Sequence, residues 1–121
     1  MPHPVIWFEV MGQDADKLKR FYGELFDWPV EEGPGGYGMV APEGRDGLMG
    51  GIGADPSGSG GHVTWYAQAD DLQAVLDKAE SLGGATVMPP TSPMEGTTIA
   101  LFSDPEGHVV GIVKPGPPPG E

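Results

Sequence analysis

The feature that most constrains this chain is that it reads the same way twice. A short strand candidate, "VIWFEV" at 5 to 10, is followed by an amphipathic helix and then by three more strand candidates, and "HVTWYAQ" at 62 to 68 opens the same order again. In the first helix Leu18, Phe21, Tyr22, Leu25 and Phe26 recur at the three- and four-residue spacing of one helical face, which predicts that they are core. Asp14 stands at the N-cap and Asp16 near the positive end of the helix dipole. In the second helix Leu72, Val75, Leu76, Ala79 and Leu82 share a face, with Asp70 as the expected cap, Gln73 three residues on and Gly83-Gly84 as the stop. Helices are expected at 14–26 and 71–82. The strands that follow are expected in "WPVEE" (28–32), "GYGMVA" (36–41) and "GLMGGIG" (47–53), and again in "ATVMPP" (85–90), "TTIALFS" (97–103) and "HVVGIV" (108–113), separated by Gly and Pro turn signals.

A half of about 50 residues with one helix cannot cover its own sheet, whereas two such halves can share an interior. The chain of 121 residues is therefore expected to be a single domain: module one at 4–53, a flexible linker "ADPSGSGG" at 54–61, module two at 62–114 and a disordered tail at 115–121. The implied class is α+β. Two β-α-β-β-β modules would form a curved, partly open, eight-stranded barrel-like sheet with the helices outside and a concave inner face for a ligand.

Composition narrows the partners. With no cysteine there is neither a disulfide framework nor a thiolate metal site, so a metal would need His, Asp, Glu or Gln. Eighteen acidic against six basic residues, a formal charge of −12, repel phosphate backbones and argue against nucleic acid and anionic membranes. A neutral or cationic small molecule suits that field better. No apolar run approaches the ~20 residues of a membrane span, and the start "MPHPVIWFEV" has no basic region followed by a long apolar one; a soluble, cytoplasmic protein is expected.

The ordered set "WFEV…RFYGELFDW…WYAQADDLQAVLDKAESLGG…MPPT…FSDPEGHVVGIV" resembles the vicinal oxygen chelate superfamily, the group of glyoxalase I, bleomycin resistance proteins and extradiol dioxygenases, and most of all its short glyoxalase-like members. The resemblance covers residues 4–114. It implies a two-module curved sheet, a homodimer and a site in the concavity. In the metal-dependent members, ligands come from the first and last strands of each module, and here those positions fall on Val5, near Gly50, on Thr64 and on Gly111, none of which ligates well. A two-residue shift keeps the same strand face and leaves His3 and His62 as the remaining metal candidates. No cofactor is expected, with a divalent metal as the lower-ranked alternative.

If Val5 and Thr64 mark the inward face, Trp7, Glu9, His62, Thr64, Tyr66 and Gln68 face inward with them. Trp7 and Tyr66 could stack on a flat ligand, Thr64 and Gln68 could hydrogen-bond it, and Glu9 could hold a cation or act as a base. Each of these taken singly is as readily a packed or locally paired residue; the set points to a pocket. The Gly-rich stretches at 33–39 and 47–61 match no phosphate-binding fingerprint and read as turns and a mobile rim, with Tyr37, Met39 and Met49 as adaptable apolar walls. In "DPEGHVV", Asp104-Pro105 opens a turn, Gly107 supplies positive φ and His108 is a turn residue facing outward. The first-ranked function is a metal-free small-molecule binding protein, with a cationic or polar aromatic ligand. The alternatives are a metal-dependent lyase, isomerase or dioxygenase, or a metal-free acid–base enzyme using Glu9; a dimer without ligand ranks third.

Overall fold

Asp14 opens the first helix by accepting a hydrogen bond from the Lys17 backbone N–H at 3.0 Å, satisfying one of the donors that a helix start leaves free. The helix, α1 (Ala15–Phe26), ends at Asp27, whose left-handed backbone (φ 56°) turns its N–H onto the Gly23 carbonyl. The structure is a computed structural model that describes residues 2–41, 48–55, 60–94 and 96–116. Around α1 it places β1 (Val5–Gly12), β2 (Val30–Glu32), a 3₁₀ turn (Pro34–Gly36), β3 (Gly38–Val40) and β4 (Met49–Ala54). The second half contains β5 (His62–Gln68), α2 (Leu72–Ser81), β6 (Ala85–Met94), β7 (Thr97–Ser103) and β8 (Val109–Lys114). The α+β class and the repeated β-α-β-β-β order are as expected. Of the expected linker, residues 56–59 lie outside the described residues, as do 117–121 of the expected tail and Gly47 of the strand expected at 47–53.

The chain divides into two compact units, and the division falls inside β1 and β5 rather than in the linker: one unit is residues 6–65, the other the described residues of 1–5 and 66–121. In the first, strands follow the order β2-β3-β4-β1, with Trp7–Gly12 running parallel to Met49–Ala54 and the other pairs antiparallel. Its core is Val10, Val40 and Ile52, with Phe8, Leu18, Tyr22, Trp28 and Val30 packed on it. Three residues expected in this core are not there: Phe21, Leu25 and Phe26 are each more than half exposed. The helix meets the sheet through Leu18 and Tyr22, and its apolar stripe is wider than that contact. Lys19 is drawn in instead. Only 7% exposed, it donates to both Glu32 carboxylate oxygens at 2.8 Å and to the Gly36 carbonyl at 2.9 Å, and pairs with Asp16 at 3.2 Å. The Glu32 hydrogen bond, opposed by desolvation, holds the ammonium above its ordinary range.

In the second unit β8 lies between β5 and β7, with Tyr66–Gln68 parallel to Gly111–Val113 and β6 on the outside. The core is Ala69, Leu72, Leu76, Ala100 and Ile112, and Leu76 is wholly buried. Burying Leu72 at the first helical position makes the residue before it the cap, so Asp71, not Asp70, accepts from the Ala74 N–H at 3.0 Å; Gln73 bonds Asp77 instead of reaching back. Leu82 ends α2 as its C-cap and is largely exposed rather than part of the apolar face, while the Gly84 N–H returns to the Ala79 carbonyl at 2.8 Å. β6 runs on to Met94, past the expected end at Pro90, with three register shifts, one of them between Met88 and Thr91, where Pro89 and Pro90 cannot donate to the ladder.

The Asp104 turn is built as expected. Its Oδ1 accepts from the N–H groups of Glu106 and His108, its Oδ2 meets His108 Nδ1, all at 2.9 Å, and Gly107 has φ 91°. The His108 N–H does most to hold this carboxyl below its ordinary value. His108 is exposed and serves the turn. Among the described residues no helix is long and apolar enough to cross a membrane.

Candidate functional site

Side chains alternate along a strand, so β1 sends Phe8 and Val10 into the α1 core and Trp7, Glu9 and Met11 the other way. On that second face, β4 sets Gly51 opposite Glu9 and Gly53 opposite Met11. Two glycines at alternate positions leave a slot without side chains, and Tyr37, arriving just after the 3₁₀ turn, lies in it. A Cβ on Gly51 would run into the Tyr37 phenol, and one on Gly53 would lie 2.7 Å from Tyr37 Cδ1.

Tyr37 is anchored by its oxygen. Its hydroxyl donates to Glu9 Oε2 at 3.1 Å and accepts from Trp7 Nε1 at 3.2 Å. His62, the first residue of β5, places Nε2 3.1 Å from the other carboxylate oxygen of Glu9. The Glu9 side chain is only 12% exposed, so a carboxylate taken largely out of water is compensated by these polar partners. Burial, then the neighbouring negative charge of Glu9, push the Tyr37 hydroxyl well above its ordinary value; the Trp7 N–H opposes this. Tyr37 is thus held as a neutral phenol.

The expected site residues divide between the two units. Trp7, Glu9, His62 and Thr64 belong to residues 6–65, and the structure brings Trp7, Glu9 and His62 onto Tyr37 or onto one another; Thr64 is buried, 6% exposed. Tyr66 and Gln68 belong to the other unit. There the Tyr66 ring takes the space that a side chain on Gly111 would need, and both residues are strand partners. Gln68 accepts from His3 Nδ1 at 2.9 Å through its backbone carbonyl and donates its N–H to the Pro4 carbonyl at 2.8 Å.

The positions that carry metal ligands in the resembling enzymes can be tested against this geometry. Val5 and Thr64 offer an alkyl group and a buried hydroxyl, and Gly111 is covered by Tyr66. Near Gly50, the residue beside Glu9 is Gly51, whereas a Cβ on Gly50 would enter the Phe8 ring, so Gly50 itself faces α1. The two histidine candidates are engaged, His62 with Glu9 and His3 with the Gln68 carbonyl. Among the described residues no three His, Asp or Glu side chains gather as a metal-binding group. Among the described residues, the side chains at these positions do not fit a three-ligand catalytic metal.

Tyr37 and Lys19 are the residues that sequence reasoning missed. Tyr37 was expected as an apolar wall beside Met39 and Met49, and it is instead a polar anchor; Met49 is 45% exposed. The readable signal was the glycine pair at 51 and 53, a gap in a strand face that some large side chain must fill. For Lys19 the signal was a charge set inside an apolar helical stripe, between Leu18 and Tyr22. Gly50, Gly51 and Gly53 lie in β4, as the strand expected at 47–53 has them, and are not part of a rim. A depression of about 530 Å³ beside the start of α1, edged by Gln13, Lys17, Tyr22 and Val63, shares only His62 with the Glu9 cluster.

Comparison with known proteins places the chain in a family. Residues 5–112 match the sequence model of the Glyoxalase/Bleomycin resistance protein/Dioxygenase superfamily. CFP32 of Mycobacterium bovis, provisionally named a glyoxylase, is 31% identical over 115 residues, covering 88% of this chain and 43% of that protein. The anthracycline biosynthesis protein DnrV of Streptomyces peucetius is 25% identical over 134 aligned residues, 95% of this chain and 48% of that protein. The chain thus spans less than half the length of these curated relatives. Methylmalonyl-CoA epimerase from Mycobacterium tuberculosis superposes with a TM-score of 0.64 at 16% identity, over 93% of this chain and 88% of that one, a likeness of fold alone.

Proposed function

This chain belongs to the Glyoxalase/Bleomycin resistance protein/Dioxygenase superfamily, and from that premise we propose that it is a small-molecule binding protein of the metal-free kind, with its ligand anchored at Glu9. One observation carries the reading: a carboxylate 12% exposed stands between a phenol and an imidazole, the phenol oxygen in turn held by a tryptophan N–H, on a strand face floored by glycine. Such a face offers a flat aromatic surface, one charge and several oriented hydrogen-bonding groups, the mixture that fixes small ligands. The lack of ligating side chains at Val5, Thr64 and Gly111 supports binding over metal-assisted chemistry.

A second reading rests on the 3.1 Å contact between Glu9 and His62, a spacing at which a proton can pass between carboxylate and imidazole. On that reading Glu9 is the base of a metal-free acid–base enzyme, and the binding site is the same. The chain is further taken as a homodimer, supported by the exposed apolar edge of α1, Phe21, Leu25 and Phe26.

A thermal-shift screen of small molecules, repeated on Glu9→Gln, tests the anchor. The expected result is a ligand whose stabilisation is lost in the variant. Hits that stabilise parent and variant alike would overturn it, and one equivalent of metal in protein purified without chelator would overturn the metal-free reading.

A further inference from the structure

We propose that Trp7 and Glu9 form a phenol-recognition site, which Tyr37 fills from within the chain and which a phenolic aromatic ligand takes over when Tyr37 swings out. The proposal rests on Glu9 as the ligand anchor and adds the chemistry of the ligand. A tyrosine side chain is p-cresol on a tether, and here one oxygen is addressed from two sides: the Trp7 N–H gives it a hydrogen bond at 3.2 Å and Glu9 takes one at 3.1 Å. Only a group that both donates and accepts satisfies this pair. An ammonium would suit Glu9 but leave the indole N–H without an acceptor; a carboxylate would suit Trp7 but meet the Glu9 charge. A hydroxyl suits both.

The glycine floor selects what carries that hydroxyl. Gly51 and Gly53 leave room for a flat ring, and a side chain on either would collide with it. Ahead of Tyr37, Gly35 (φ 69°) and Gly36 (φ 81°) hold left-handed conformations, the residue type that lets a turn change shape at least steric cost. Tyr37 competes at the high effective concentration of a tethered group, so a free phenol binds with an affinity scaled by the fraction of time the slot is open. Weakening the hold on Tyr37 should raise that fraction.

The test uses p-cresol, toluene and benzyltrimethylammonium as probes, with affinity and the Tyr37 ring resonances followed by NMR. The parent protein should prefer p-cresol over toluene by about tenfold or more, since a hydrogen bond to a charged group is at stake, and the Tyr37 signals should move to those of an exposed ring. Tyr37→Phe keeps the ring and loses the competing hydroxyl, so it should bind p-cresol about tenfold more tightly; Tyr37→Ala should do the same if it folds. Glu9→Gln should shrink the preference over toluene. Equal binding of p-cresol and toluene, no binding of p-cresol by the parent, or binding with Tyr37 unmoved would each overturn the proposal. Glu9-dependent binding of benzyltrimethylammonium without a preference for p-cresol would overturn the phenol assignment and leave the anchor standing. If no probe binds in a Glu9-dependent way, both fail.

Discussion

The Lys19 ammonium donates at 2.9 Å to the carbonyl of Gly36, the residue immediately before Tyr37. One buried cation thereby ties α1 to the turn that delivers the phenol to Glu9, while Glu32 and Asp16 balance its charge. Lys19→Met should leave Glu32 without its counter-ion and release the turn, so the melting temperature should fall and Tyr37 should ionise nearer its ordinary value. Spectroscopic titration of phenolate reads the second effect, which a loss of stability alone would not produce below the unfolding transition.

Alkaline stability follows from two raised values. A group held protonated in the folded state stabilises fully below its unfolded pKa and loses that contribution as pH rises through the folded one. For Lys19, ordinarily 10.5, and Tyr37, ordinarily 10.0, both windows open above pH 10. Stability should therefore fall as pH climbs from 10, and the fall should be shallower in Tyr37→Phe. Denaturant melts across that range check the slope.

On the acid side the sign reverses. Asp104, held below its ordinary 3.8 chiefly by the His108 N–H, contributes above that value and stops contributing as pH falls through its folded pKa. Asp104→Ala should lower the melting temperature at neutral pH and flatten its decline below pH 3.8. An unchanged acid limb would contradict the assignment of this carboxylate as the staple of the β7–β8 turn.

Leu76 and Ile52 are fully buried, one in each unit. Truncation of either to alanine should cost about 2–5 kcal/mol by loss of transfer energy and creation of a cavity, measured by denaturant unfolding. The same truncation at Leu25 or Leu82, both mostly exposed, should cost far less.

Light scattering should return twice the chain mass, and Phe26→Glu should shift it toward the single-chain value. A single-chain mass for the parent at micromolar concentration would count against the homodimer and leave the exposed α1 edge to another partner.

What the sequence determined by itself is whatever depends on local period. The 3.6-residue spacing fixed both helices to within a residue or two, and the two-residue alternation put Trp7 and Glu9 on the strand face away from Phe8 and Val10. The Asp104–His108 turn was equally legible, because its hydrogen bonds close within four residues. Tertiary structure alone decided how much of each apolar stripe finds a partner: Phe21, Leu25 and Phe26 carry the right spacing, yet α1 rests on the sheet through Leu18 and Tyr22. It also decided what fills the gap over Gly51 and Gly53. The phenol of Tyr37 reaches a carboxylate 28 residues earlier in the chain, and His62 reaches the same carboxylate across 53. No periodicity records such contacts, since they exist only once the strands have set a glycine floor beneath a buried charge and left one oxygen to be satisfied from both sides.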